Sequence, residues 1–167
     1  MSSTVIQQPA PASLWRKLQA WLPTLLWLCA IAAFSTDAFS AEHTRGILWR
    51  IVHLLWGPIS EEQFSILHFL VRKAAHFTVY GILSVFAFYS WRATLPAPQR
   101  WAFRWSGLAL ATTLLAAGLD EFHQSFVPSR TSSPRDVMLD LAGALCFQII
   151  IASFFGRRSR EQAKVLS

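Results

Sequence analysis

The stretch Leu119 to Asp140, LDEFHQSFVPSRTSSPRDVMLD, decides how the chain is read. It sets Asp120, Glu121, His123, Gln124, Arg130, Arg135, Asp136 and Asp140 between two strongly apolar runs. Pro128 to Pro134 is a turn by composition, rich in Ser and Pro. The stretch is therefore the end of one helix, a turn and the start of the next. What surrounds it is apolar enough for lipid. Hydrophobic residues make up 53% of the 167 and charged residues 14%, against roughly 25% charged in an average soluble domain. Mean hydropathy is +0.36, and eight tryptophans accompany it. The pattern is that of a polytopic membrane protein.

Working outward, four helical segments reach the length needed to cross a bilayer of about 30 Å, the second and third by drawing in the polar turns that carry Arg72 to His76 and Asp120 to Gln124. They are expected near 19–37, 67–91, 105–126 and 136–155. The fold class is all-α: a bundle of four transmembrane helices, with an interfacial or re-entrant helix near 46–56 between the first two. Residues 1–17, with Pro9 and Pro11, read as a disordered tail, and 157–167 as a basic tail. Arg16 and Lys17 before an apolar run, followed by small residues to Ala41, also have the look of a signal peptide. The length of the run and the three spans after it favour a membrane helix. Pro23 is tolerable near a helix start. GILWRIVHLLW (Gly46 to Trp56) is too short to span, and Trp49 and Trp56 suit headgroup depth. Ser60 and Gln63 have capping-box spacing at the start of the next helix.

The pI near 10.2 does not indicate nucleic-acid binding, because the bases flank apolar runs and form no single basic face. With both termini inside, nine bases and Glu161 lie on the inner side, net +8. Six bases and eight acids lie on the outer side, net −2. The asymmetry favours cytoplasmic termini. It puts the polar ends of all four spans at the outer face: Ser35 and Asp37, then Arg72 to Tyr80, Asp120 to Gln124, and Asp136 to Asp140. Cys29 and Cys146 fall within apolar runs and read as small core thiols, not a disulfide.

Helical spacing groups the polar residues into stripes. His68, Arg72, His76 and Tyr80 lie one turn apart. Asp120 and Gln124 share a face, and Asp136, Asp140 and Gly143 form another stripe. Ionisable groups at membrane depth normally face the bundle interior in pairs. The expected pairs are Arg72 and Lys73 with Asp120 and Glu121, and Arg130 or Arg135 with Asp136 or Asp140. Gly81, Gly107, Gly118 and Gly143 are expected at close helix contacts, Gly143 above all. His53 and His68 read as interfacial.

Three blocks carry a resemblance: RKAAHFTVYGIL (Arg72 to Leu83), DEFHQSFVPSR (Asp120 to Arg130) and DVMLDLAGAL (Asp136 to Leu145). Together they resemble the VanZ-like family, with its R-K-x-x-H-F-x-x-Y, D-E-x-x-Q-x-F-x-P-x-R and D-x-x-x-N-x-x-G pattern. Two positions depart from it. Asp140 stands where the family usually has asparagine, and Ser129 where glycine is frequent. The family is named for a protein associated with resistance to teicoplanin, so the resemblance implies a bacterial inner-membrane protein of the cell envelope. It brings no settled reaction.

Three readings of the polar site follow. In the first, the charges only staple the helix ends. In the second, Arg72, Lys73 and Arg130 bind an anionic partner: a phospholipid, a lipid-linked cell-wall precursor or a lipoglycopeptide. There His76, Tyr80 and Gln124 orient the ligand, and Trp49 and Trp56 cover its acyl part. In the third, the site is an enzyme on a phosphate-bearing lipid, with His76 and Asp120 or Glu121 as catalytic candidates. A metal set would draw on His76, His123, Asp120 and Glu121, but D-E-x-H is no established metal signature. No metal or cofactor is expected. The binding set is Arg72, Lys73, His76, Tyr80, Asp120, Glu121, Gln124, Arg130, Asp136 and Asp140.

Overall fold

A computed structural model describes residues 13–36, 41–95, 101–127 and 133–165, with side chains outside 41–44 and 156–165. The described residues form five α-helices and no strand: α1 Leu14–Phe34, α2 Ala41–Trp56, α3 Glu61–Thr94, α4 Phe103–Gln124 and α5 Pro134–Val165. By length and composition, α1, α3 and the Pro134–Phe155 part of α5 suffice to cross a membrane. α4 is 22 residues long but is not among them. Arg104, Gly107, Thr112, Thr113, Gly118 and Asp120 all lower its hydropathy. This differs from the expected set of four.

α3 is the central helix and packs against α1, α4 and α5, with only slight contact to α2. Its start follows local chemistry. Gln63 N donates to Ser60 Oγ (3.2 Å) and Ser60 N donates to Gln63 Oε1 (3.1 Å). Both halves of the capping box are present. Glu61 and Glu62 in the first turn complement the helix dipole. At its other end, Arg104 Nη2 and Trp105 Nε1 donate to the Leu95 carbonyl (2.9 and 2.7 Å).

Lipid offers little hydrophobic drive between helices, so close packing and hydrogen bonds hold them. α1 is tied to α3 by Trp21 Nε1 donating to Thr94 Oγ1 (2.9 Å), by Thr24 and Ser90 hydroxyls 2.8 Å apart, and by Trp27 Nε1 donating to Val79 O (2.9 Å). α1 begins at Leu14, five residues before the expected 19, and this places Pro23 inside the helix. Pro23 cannot donate to the Gln19 carbonyl. Ser90 Oγ donates to the neighbouring Ala20 carbonyl (2.7 Å), the kind of support that lets membrane helices keep a proline.

The α3–α5 crossing is the tightest. A Cβ on Gly143 would overlap the Phe77 carbonyl oxygen of α3, and one on Gly81 would lie 2.6 Å from the Phe147 ring. Beside this crossing the Ser84 hydroxyl lies 2.7 Å from Gly81 O and 3.2 Å from Ala144 O, and Gln148 Nε2 donates to Ser84 O (2.9 Å). Gly107 and Gly118 meet nothing within 4 Å, so two of the four glycines expected at contacts are not there.

Other boundaries also move. α2 starts at Ala41, ahead of the expected 46, and ends at Trp56 before Gly57 with φ +79°. α5 continues through Val165, well past the expected end at 155. Residues Leu14 to Lys17, expected in a disordered tail, are helical; residues 1–12 lie outside the described set. Cys29 and Cys146 are free and exposed on the bundle surface, not in the core.

Candidate functional site

The end of α1, the first half of α3, the end of α4 and the start of α5 meet at one end of the bundle. There the polar stripes are held by short contacts. Tyr80 is 1% exposed, and its hydroxyl donates to Asp120 Oδ2 (2.9 Å). Gln124 Nε2 donates to the same oxygen (2.8 Å) and lies 3.3 Å from Ser35 Oγ. One carboxylate thus joins α4 to α3, and Gln124 extends the link to the cap of α1. The next residue serves a different side of α4: Glu121 Oε2 accepts from Ser133 N (2.8 Å), which fixes the entry into α5.

Two further pairs run from α3 to α5. Lys73 is ion-paired with Asp136. His76 Nδ1 lies 3.4 Å from Asp140 Oδ1, and neither atom has a hydrogen-bond partner. Asp140 is 1% exposed. The His76 and Tyr80 rings stack with centroids 6.3 Å apart.

These contacts correct the expected pairing. Lys73 meets Asp136, not Asp120 or Glu121, because residues 72 and 73 point about 100° apart on the helix. Lys73 falls on the α5 side of α3. Asp140 meets His76, not an arginine, and Arg135 is exposed. Arg130 lies outside the described residues. Arg72 makes no ion pair among the described residues.

Arg72 lines a cleft of about 470 Å³ between α1, α2, α3 and α4. Of the expected site residues, the cleft gathers Arg72, His76, Tyr80, Asp120 and Gln124. Lys73, Glu121, Asp136 and Asp140 stand outside its lining, as the props described above. Ser35 and His68 complete the polar part, and Ile31, Phe34, Ile47, Leu48, Ile51, Val71, Ala75 and Val79 the apolar part.

The sequence puts His68 on the polar stripe but not in the expected binding set, and it assigns the cover from α2 to tryptophans and not to the apolar face that provides it. His68 is 9% exposed and lines the cleft, although it was read as interfacial. Its place one turn before Arg72 was the available signal. Ile47, Leu48 and Ile51 share one helical face, and that face covers the cleft. The tryptophans expected to do so are elsewhere: Trp49 packs edge-on against Phe64 (4.7 Å) and beside His53 (4.0 Å), and Trp56 is 72% exposed.

The donor set does not suit a metal. Asp120 and Glu121 turn to different partners, Tyr80 on α3 and Ser133 before α5, and His123 is exposed. Among the described residues no three His, Cys, Asp or Glu side chains converge.

No curated protein and no solved structure matches the chain. A family model described as VanZ/LLP1 matches residues 20–155. That range holds all three motif blocks and every contact of the polar cluster and its cleft, and the chain is a membrane protein of the VanZ/LLP1 family.

Proposed function

We propose that the cleft binds an anionic amphiphile of the bacterial cell envelope, with its charged group at Arg72 and its apolar part against α1 and α2. The observation that carries this reading is the state of Arg72. Lys73, Glu121, Asp120 and Asp140 each have a partner within the protein. Arg72, half-buried in the cleft lining, has no acidic partner among the described residues. A cluster that only stapled helices would leave no cation over. A guanidinium with no acidic partner among the described residues, beside an apolar wall, suits a phosphate or carboxylate, which it can hold in a bidentate fork. Pockets with mostly apolar walls and a few convergent polar groups are where ligands bind.

The ligand classes that combine such a head with an apolar chain are phospholipids, polyprenyl-phosphate-linked cell-wall precursors and lipoglycopeptides. The last would connect the protein to resistance against teicoplanin-type antibiotics. In this reading α4 joins the other three long helices as a fourth span of the inner membrane. Both termini are cytoplasmic, and the cleft opens at the outer face. Arg16 and Lys17 in the first turn of α1 and the basic end of α5 support that orientation.

Two experiments test it. Native mass spectrometry of protein extracted from the membrane is expected to show a retained anionic lipid. Arg72→Ala is expected to remove it, with retention falling about tenfold to a hundredfold, as for a charge-assisted contact worth about 1.5–3 kcal/mol. Equal retention by the variant would sink the reading. A cysteine introduced at position 97 is expected to react with impermeant maleimide only after the cells are opened. Labelling from outside would reverse the orientation.

A further inference from the structure

We infer that His76, backed by Asp140, is a general base, and that the cleft hydrolyses a phosphate monoester carried on a long apolar chain. This rests on the binding reading above and adds a reaction to it. Three observations meet at this pair. His76 lines the cleft one helical turn from Arg72. Its Nδ1 is turned away from the cleft, is buried and faces Asp140 Oδ1 at 3.4 Å, and neither atom has another partner. Asp140 itself is 1% exposed and does not line the cleft.

A carboxylate held behind one ring nitrogen selects the tautomer with the proton on that nitrogen and leaves the lone pair on the other. Here the proton sits on Nδ1 toward Asp140. Nε2, on the edge of the ring facing the cleft, is left as the base. The separation of 3.4 Å is loose for a hydrogen bond, as such contacts often are before substrate is bound. Binding alone needs no buried acid behind the histidine. A carboxylate there becomes useful when the ring must take a proton.

The step balances without redox. A water oxygen attacks phosphorus and forms the new P–O bond while its proton passes to His76 Nε2. The P–O bond to the chain breaks, with the charge on the phosphoryl oxygens facing Arg72. The departing oxygen takes up a proton and the imidazolium returns one to solvent. The products are the long-chain alcohol and inorganic phosphate. His76 is the catalytic residue and Asp140 a positioning residue that acts through it.

The test uses the full chain in detergent micelles with dodecyl phosphate, lysophosphatidic acid and phosphatidic acid as probes, and reads inorganic phosphate. Wild type is expected to release phosphate from at least one. His76→Gln is expected to lower kcat by about 100-fold or more, the usual size of general-base catalysis. Asp140→Asn, which keeps the shape of the side chain, is expected to lower kcat at least about tenfold with KM within about twofold, the signature of an interaction made only in the transition state. Its melting temperature should stay unchanged; a merely structural Asp140 would move melting temperature and leave kcat in place. If His76→Gln does not fold, Asp140→Asn decides. Probes retained in native mass spectra but never hydrolysed would overturn the reaction and leave the binding reading standing. Probes not retained at all would remove both. Turnover unchanged in both variants would overturn the role of the pair.

Discussion

Replacing Gly143 by alanine is expected to destabilise the protein by about 1–3 kcal/mol, the usual cost of forcing a methyl group into a packed contact. The measurement is thermal or SDS unfolding in detergent. Helix propensity alone predicts the opposite sign, since alanine in a helix gains about 0.5–1 kcal/mol over glycine. Geometry decides between them. The added Cβ would meet the carbonyl oxygen of Phe77, which is backbone and cannot swing aside. α5 must move off α3, and that disturbs His76–Asp140 and Lys73–Asp136, both of which cross the same interface. Gly107→Ala and Gly118→Ala are the controls. Nothing lies within 4 Å of either Cβ, so both are expected to be neutral or slightly stabilising. A Gly143→Ala variant as stable as these would mean that the two helices are not in backbone contact at this point.

Lys73→Met is expected to cost about 2–3 kcal/mol, and the double variant Lys73→Met/Asp136→Asn to recover most of it. The Lys73 and Asp136 side chains are only 31% and 18% exposed. Removing the cation leaves the carboxylate poorly solvated at the start of α5. Breaking a fully buried pair from one side costs about 3–5 kcal/mol, whereas replacing both partners is often neutral. Partial exposure lowers the first figure here. A double-mutant cycle read from unfolding in detergent gives the coupling directly. Additive losses would show that the two groups do not interact. Lys73→Met should also leave lipid retention in place, because Lys73 lies outside the cleft lining. That separates it from Arg72→Ala, its neighbour in sequence.

The contrast between Arg72 and Lys73 marks where sequence reading stopped. Spacing of four put His68, Arg72, His76 and Tyr80 on one stripe, and the cleft is lined by all four. The same periodicity grouped Asp120 with Gln124 on α4, and Asp136 with Asp140 on α5. Helical spacing identifies neighbours on one helix, since the rise and turn per residue are constant. It does not give the rotation of one helix against the next, which depends on packing between side chains distant in sequence. Hence Lys73 was matched with the wrong acids, and Asp140 with an arginine instead of His76. α2 shows the same limit. Its length and its tryptophans suggested a helix lying at the membrane surface, but which face meets the cleft follows from how it leans on α3.

Composition, the apolar helical runs and the three motif blocks were enough to determine an all-helical membrane protein of this family, and to name most of the residues of its polar end. These are properties of the chain itself: apolar length and local capping chemistry at Ser60 and Gln63. The tertiary structure alone decided how the charges are shared. Within Leu119 to Asp140, Asp120 and Gln124 face the cleft, Glu121 holds the next helix, and Asp140 stands behind His76. The physical reason lies at the α3–α5 crossing. Gly143 lets the two backbones touch, and that contact sets which side chains of α5 come within reach of α3.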